Sequence, residues 1–194
     1  MVIKDTVEGM SLDDFNRLWD EEGPFELIDG ERFPVPTKMF GNIRIANKLM
    51  LSLNNHALPK NLGEAYVEGT FVLTLDTPNW VKGARIPDVM YIRAERWADY
   101  RAANPDWQSK PLILVPDIVI EIVSENDDYP DVTKKIIHYF KDGVQQVWLI
   151  EPQSRVITVY VGNIKNLKTL LEGDTLSAEE TIPGFEIAVS DIFG

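Results

Sequence analysis

The chain has no cysteine and only two histidines, His56 and His138, among its 194 residues. Disulfides and thiolate metal sites are thereby excluded, and neither histidine lies in a pairing pattern for zinc or for a catalytic triad. No stretch is long and apolar enough to cross a bilayer, and the opening Met-Val-Ile-Lys-Asp-Thr-Val-Glu-Gly is too acidic and too weakly apolar for a secretory signal. These absences point to a soluble protein of the reducing cytoplasm, with no membrane partner. Internal repeats, low-complexity tracts and linkers are missing as well. Residues 1–194 therefore read as a single domain, long enough to bury roughly 70% of its unfolded surface.

Basic residues are also in deficit, with 19 Lys and Arg against 31 Asp and Glu and a net charge of −12. That balance opposes nucleic acid as a partner, because phosphate binding gains its affinity from cations that displace counterions. The distribution weakens the objection. Residues 1–31 hold ten acids and two bases, residues 32–115 hold seven and eleven, and residues 116–194 hold fourteen and six. The middle is locally basic, and a bound metal ion would offset part of the C-terminal acidity.

What is present first reads as alternating elements. Ser11-Leu-Asp-Asp14 has capping-box spacing ahead of an amphipathic helix that Gly23 ends. Phe25 to Phe33 alternates around an Asp29-Gly30 turn, a hairpin signal. Residues 42–56 repeat their apolar positions at helical spacing, Ala65–Val67 and Thr70–Leu75 are strand-like, and 78–83 reads as a loop. A strand then carries Asp88, and a short helix over 97–103 and a loop through Pro105 and Pro111 lead to a second, near-continuous apolar strand. A helix capped by Asp131 runs to Lys141 with Gly143 beyond its end, and strands follow over 144–150 and 155–161. Strand, helix, strand within 116–150 is a crossover unit, so the expected class is α/β with a central mixed β-sheet flanked by helices.

The apolar strand Pro116-Asp-Ile-Val-Ile-Glu-Ile-Val-Ser124 encloses a carboxylate. A strand buried on both faces makes an isolated ionised acid cost several kcal/mol, so Glu121 needs a partner. Alternation puts Asp117, Val119, Glu121 and Val123 on one face. The next helix must turn back over the sheet, and Lys135, one helical repeat and about 6 Å beyond Asp131, has a stem long enough to reach Glu121. That repeat equally permits an ordinary ion pair between Asp131 and Lys135. Ile86-Pro-Asp-Val-Met-Tyr-Ile92 offers Asp88 as a second acid. Two hard carboxylates suit Mg²⁺, with Mn²⁺ as a substitute, and a nearby lysine suits a water or a scissile phosphate. The bland readings stand beside this one: Asp88 as a strand-start cap, Glu121 and Lys135 as a structural salt bridge, Lys134 as a solvated helix face, Asp117 as a strand-start residue, and the acidic run 125–128 as a solvated loop.

Phe25-Glu-Leu-Ile-Asp-Gly-Glu31, Arg85-Ile-Pro-Asp-Val89, Pro116 to Ser124, and Lys135-x-x-x-Tyr139-x-x-x-Gly143-Val144-x-x-x-Trp148-Leu-Ile-Glu-Pro152 together resemble the Uma-type family of restriction-endonuclease-like proteins, within the PD-(D/E)XK nuclease superfamily. The resemblance runs from about Leu12 to the tail, where Ile182-Pro-Gly-Phe-Glu186 and Asp191-Ile-Phe193 also fit. It implies a restriction-endonuclease-like fold, DNA as substrate, Mg²⁺-dependent phosphodiester hydrolysis and a homodimer. Asp88 and Glu121 would be the metal carboxylates. Val123 occupies the place of the superfamily's lysine, so Lys135 would be the migrated catalytic lysine. Glu26 is a candidate accessory ligand, and Asn42 stands where relatives often carry histidine. Two other readings stay open: a catalytically silent nuclease-fold protein that binds nucleic acid or a protein partner, and a phosphohydrolase of small molecules.

Overall fold

The computed structural model of the chain describes residues 9–75, 79–124, 127 and 129–194. In order these form β1 (Met10–Ser11), α1 (Leu12–Glu22), β2 (Phe25–Ile28), β3 (Glu31–Pro34), α2 (Phe40–Ala57), β4 (Gly63–Val67), β5 (Phe71–Thr74), β6 (Trp80–Arg85) and β7 (Val89–Arg93). There follow α3 (Ala94–Ala103), β8 (Ile118–Ile122), α4 (Tyr129–Asp142), β9 (Gln146–Glu151), β10 (Val156–Val161), β11 (Asn163–Leu170), β12 (Thr175–Ser177), β13 (Glu186–Ala188) and α5 (Val189–Phe193).

Six strands form the central sheet in the order β11-β10-β9-β8-β7-β4. β8 and β9 run parallel, joined by α4 as a crossover, and the remaining pairs are antiparallel. The sheet is therefore mixed, and both its faces are covered. On one face α2 presents Ile45, Leu49 and Leu53 to Ile118, Ile120 and Ile122 of β8. On the other, α4 presents Ile136 and Tyr139 to Val119, Val147 and Leu149. The β-branched run of β8 is continuous because each of its faces meets a helix. Its odd-numbered side chains point toward α4, as alternation requires.

Local signals account for several boundaries. The Ser11 hydroxyl accepts from the Asp14 N–H at 3.1 Å and starts α1. Asp29 and Gly30 both adopt positive φ, 49° and 81°, as a two-residue primed turn demands, and they set β2 against β3. Gly143, with φ 103°, ends α4 where a side chain would be strained. Among the described residues no helix is long and apolar enough to cross a membrane.

Two readings of the sequence need correction. Residues 80–83, read as loop, belong instead to β6, which pairs with β1, β2 and β5 in a second sheet of five strands. Lys82, Gly83 and Ala84 are weak strand formers, and tertiary packing overrides them: a side chain at Gly83 would meet Leu73 at 3.1 Å and the Leu27 carbonyl at 3.4 Å. α4 also begins at Tyr129, so Asp131 lies in its first turn rather than at its cap. There it pairs with Lys134 at 2.8 Å, and Lys135 goes elsewhere. Residues 1–8 and 78, on which the leader and loop readings partly rested, lie outside the described residues, as do 125, 126 and 128 of the acidic run.

Candidate active site

β7 and β8 are antiparallel with Val89 opposite Ile120, so one step further Asp88 comes opposite Glu121. Directly opposed residues of an antiparallel pair share a face. Both acids thus stand at one end of the sheet, on the side covered by α4. The backbone N–H of Ile122 donates to one Asp88 oxygen, Oδ2, at 2.6 Å and holds the carboxylate in place.

α4 supplies two side chains one helical repeat apart. Lys135 Nζ lies 3.1 Å from Glu121 Oε2, and the Tyr139 hydroxyl donates to Glu121 Oε1. Lys135 also lies 3.5 Å from Glu26 Oε2 of β2, while Glu26 Oε1 accepts from the Ile86 N–H at 3.0 Å. The five-stranded sheet therefore delivers a third carboxylate to the same cluster. Arg85, which is buried, and Asp142, which is partly buried, form an ion pair at 2.9 Å off the line of a hydrogen bond, and Arg85 also donates to the Leu27 carbonyl. That pair fastens the end of α4 to β6.

The cluster is electrostatically unbalanced. Burial pushes the Glu121 carboxyl up, Lys135 opposes the rise, and the charges of Asp88 and Glu26 add to it, leaving it at about 7. Burial works against the Lys135 ammonium, but Glu121 and Glu26 outweigh it and hold Lys135 above the ordinary lysine value. The Tyr139 phenol is raised well above its usual value, first by burial and then by the same two acids, and so stays a neutral donor.

The structure thus brings Asp88, Glu121, Lys135 and Glu26 together. Asn42, in the first turn of α2, donates from Nδ2 to the Ser124 hydroxyl at 2.9 Å, just beyond the end of β8. Asp117 lies at the opposite end of β8, fully buried and bonded to Arg93 and Arg96. His56 Nε2 donates to the Pro183 carbonyl oxygen at 2.9 Å, and His138 sits 3.7 Å from Asp29, both outside the acidic cluster.

Two members of the site escaped the sequence. Tyr139 had a signal, since it is four residues from Lys135 and shares its helix face. Lys38 had none. It sits in the irregular segment between β3 and α2, yet its Nζ is 2.5 Å from Asp88 Oδ1 and 3.6 Å from Glu68.

A cleft of about 320 Å³ opens beside Glu121 and Lys135, lined also by Asp131, Val132 and Leu149. A larger cavity of about 590 Å³ lies at the Asp117 end against Arg93, Trp97 and Arg101. There Glu64, Glu95 and Glu180 are interleaved with the arginines, whereas the smaller cleft is the one that Glu121 and Lys135 line.

Among the described residues no three His, Cys, Asp or Glu side chains converge into a ready metal cage. The donor set nonetheless fits a hard divalent ion. Two carboxylates, with water and substrate oxygens completing the shell, are a common arrangement for Mg²⁺. Burial first, and then the charges of Asp88 and Glu26, raise Glu121, and a bound cation would offset both.

Comparison with known proteins adds three findings. Residues 12–190 match the family model described as "Uma2: Putative restriction endonuclease". No curated protein matches the chain. The structure is similar to the crystal structure of a "putative nuclease belonging to DUF820" from Anabaena variabilis ATCC 29413, with a TM-score of 0.75 and 22% identity over 95% of this chain and 97% of that one. At that identity the likeness speaks for the fold.

Proposed function

The chain belongs to the Uma2 family and has a restriction-endonuclease-like fold, and from that premise we propose that it is a Mg²⁺-dependent endonuclease hydrolysing DNA phosphodiester bonds. The observation that carries this reading is the meeting of Asp88, Glu121 and Lys135 at one end of the sheet, with Lys135 3.1 Å from Glu121. In this reading they are the site of a PD-(D/E)XK nuclease whose lysine has moved to the following helix.

Asp88 and Glu121 are the residues that would hold the ion. When bound, the ion polarises the phosphate and lowers the pKa of a water, Mn²⁺ serving as well as Mg²⁺. The chain's own groups prepare the rest. Tyr139 and Lys135 each engage a different Glu121 oxygen, which fixes the orientation of that carboxylate. Glu26, tethered by the Ile86 N–H, keeps the Lys135 ammonium charged and aimed into the cluster. A charged ammonium so placed stabilises negative charge growing on a phosphate. The locally basic middle of the sequence suits an extended polyanion better than a small phosphate ester.

Supercoiled plasmid and single-stranded DNA, incubated at low salt with Mg²⁺ or Mn²⁺, test the proposal. Cleavage by the natural chain and not by Glu121→Gln is the expected outcome, and equal cleavage by both removes Glu121 from the chemistry. The second reading, a silent nuclease-fold binder, is favoured by one observation: both site lysines already pair with carboxylates. It predicts DNA or protein binding without cleavage by either form. A homodimer belongs to the same proposal and is checked by light scattering.

A further inference from the structure

Lys38 and Lys135 both meet the acidic cluster, but they are held differently. Lys135 stands on a helix between two acids, each pinned by a further donor: Glu121 by Tyr139 and Glu26 by the Ile86 N–H. Lys38 stands in the irregular segment joining β3 to α2, where no helix or strand frames its backbone. It closes on Asp88 Oδ1 at 2.5 Å, and its other partner, Glu68 at 3.6 Å, is half exposed at 54%.

Asp88 Oδ2 is taken by the Ile122 N–H, so Oδ1 is the oxygen that a metal ion would use most readily. That oxygen is the one Lys38 holds. We infer that Lys38 is an internal counter-ion that competes with the divalent cation for Asp88 and moves to Glu68 when the cation enters. This rests on the reading of Asp88 and Glu121 as the metal carboxylates.

Charge supports the exchange. Asp88, Glu121, Glu26 and Glu68 bring four acids, and Lys38 and Lys135 bring two cations. One divalent ion neutralises the difference, provided Lys38 remains beside Glu68. An ammonium kept against Asp88 would instead face the ion at close range, where repulsion is strong even in a partly hydrated cleft. Glu68 is well placed as the resting point, since its N–H donates to the Asp88 carbonyl at 3.1 Å and ties the two residues together.

Calorimetric titration of the intact chain with Mn²⁺, without DNA, tests the inference. Lys38→Met is expected to bind Mn²⁺ roughly tenfold more tightly than the natural chain. Glu68→Gln is expected to bind it more weakly, because Lys38 loses its second partner. Lys38→Gln, which keeps a polar side chain, supplies the same reading if the methionine variant is poorly folded by circular dichroism. Binding by the Lys38 variants alone also supports the exchange.

Unchanged or weaker Mn²⁺ affinity on removing the lysine charge overturns the inference while leaving the metal site standing, provided Asp88→Asn abolishes binding. No binding by any form overturns both the inference and the metal reading. Equal binding by the natural chain and Asp88→Asn overturns both as well, because the ion then sits elsewhere.

Discussion

β8 carries an acid at each end of one face, and the two are treated in opposite ways. Asp117 is fully buried and fully answered: Arg93 donates from its backbone at 2.9 Å and from Nε at 2.8 Å, and Arg96 adds a contact at 3.0 Å. Glu121 receives one lysine and one phenol, while Asp88 and Glu26 push against it. An acid that is completely compensated is a structural fastening. One that is left under repulsion has capacity for a cation, and that difference separates chemistry from scaffolding along a single strand.

Substitutions at the two ends should therefore separate activity from stability. The largest expected effect is at Glu121, where Glu121→Gln should reduce metal-dependent cleavage on the order of a thousandfold or more, with little change in the thermal midpoint. Gel assays of plasmid cleavage and a melting curve check the two halves. Asp117→Asn should do the reverse. It leaves two guanidinium groups facing a neutral amide and should cost about 3 kcal/mol in urea unfolding, consistent with breaking a buried ion pair. If Asp117→Asn were as stable as the natural chain, the contrast between the ends would fail.

Tyr139→Phe sharpens the comparison from the chemical end. It removes the hydroxyl that orients Glu121 and leaves a partly buried oxygen short of a donor. A loss of about 1–2 kcal/mol in unfolding free energy and about a tenfold slower cleavage are expected. Stability lost without any change in rate would reduce Tyr139 to packing.

The smallest effect is expected beside Asp117. The Tyr91 hydroxyl is buried without a hydrogen-bond partner among the described residues. Burial and then the Asp117 charge push its phenol up to about 12. Because the folded phenol holds its proton more tightly than the unfolded one, its contribution to stability is complete below about pH 10. It is lost as pH rises from there toward 12. Ultraviolet titration should show a late-ionising group of tyrosines, in which Tyr91 is one component beside Tyr66 and Tyr139, all raised first by burial. Tyr91→Phe should remove that component and leave stability unchanged or raised by up to about 1 kcal/mol, since an orphaned hydroxyl disappears.

Much of this arrangement was legible before the structure. The period-two pattern of residues 117–123 placed Asp117 and Glu121 on one face, and the helical repeat placed Lys135 within reach of Glu121. The crossover over 116–150 appeared as parallel β8 and β9. Other features left no trace in local pattern. The middle of β6, Lys82 to Ala84, has poor strand propensity and pairs because three neighbours supply edges. Asp117 read as an ordinary strand start, since its arginines lie more than twenty residues earlier in the chain.

The sequence by itself determined which residues can form helices and strands, which faces they bury, and that an acid in the middle of an apolar strand requires a partner. Those follow from short-range geometry and from the cost of burying charge. Only the tertiary structure decided which partner each acid receives. Glu26 reaches Lys135, Lys38 reaches Asp88 across 50 residues, and Arg93 and Arg96 close on Asp117. Such pairings depend on sheet order and strand register, and these are settled by the packing of the whole core rather than by any local spacing.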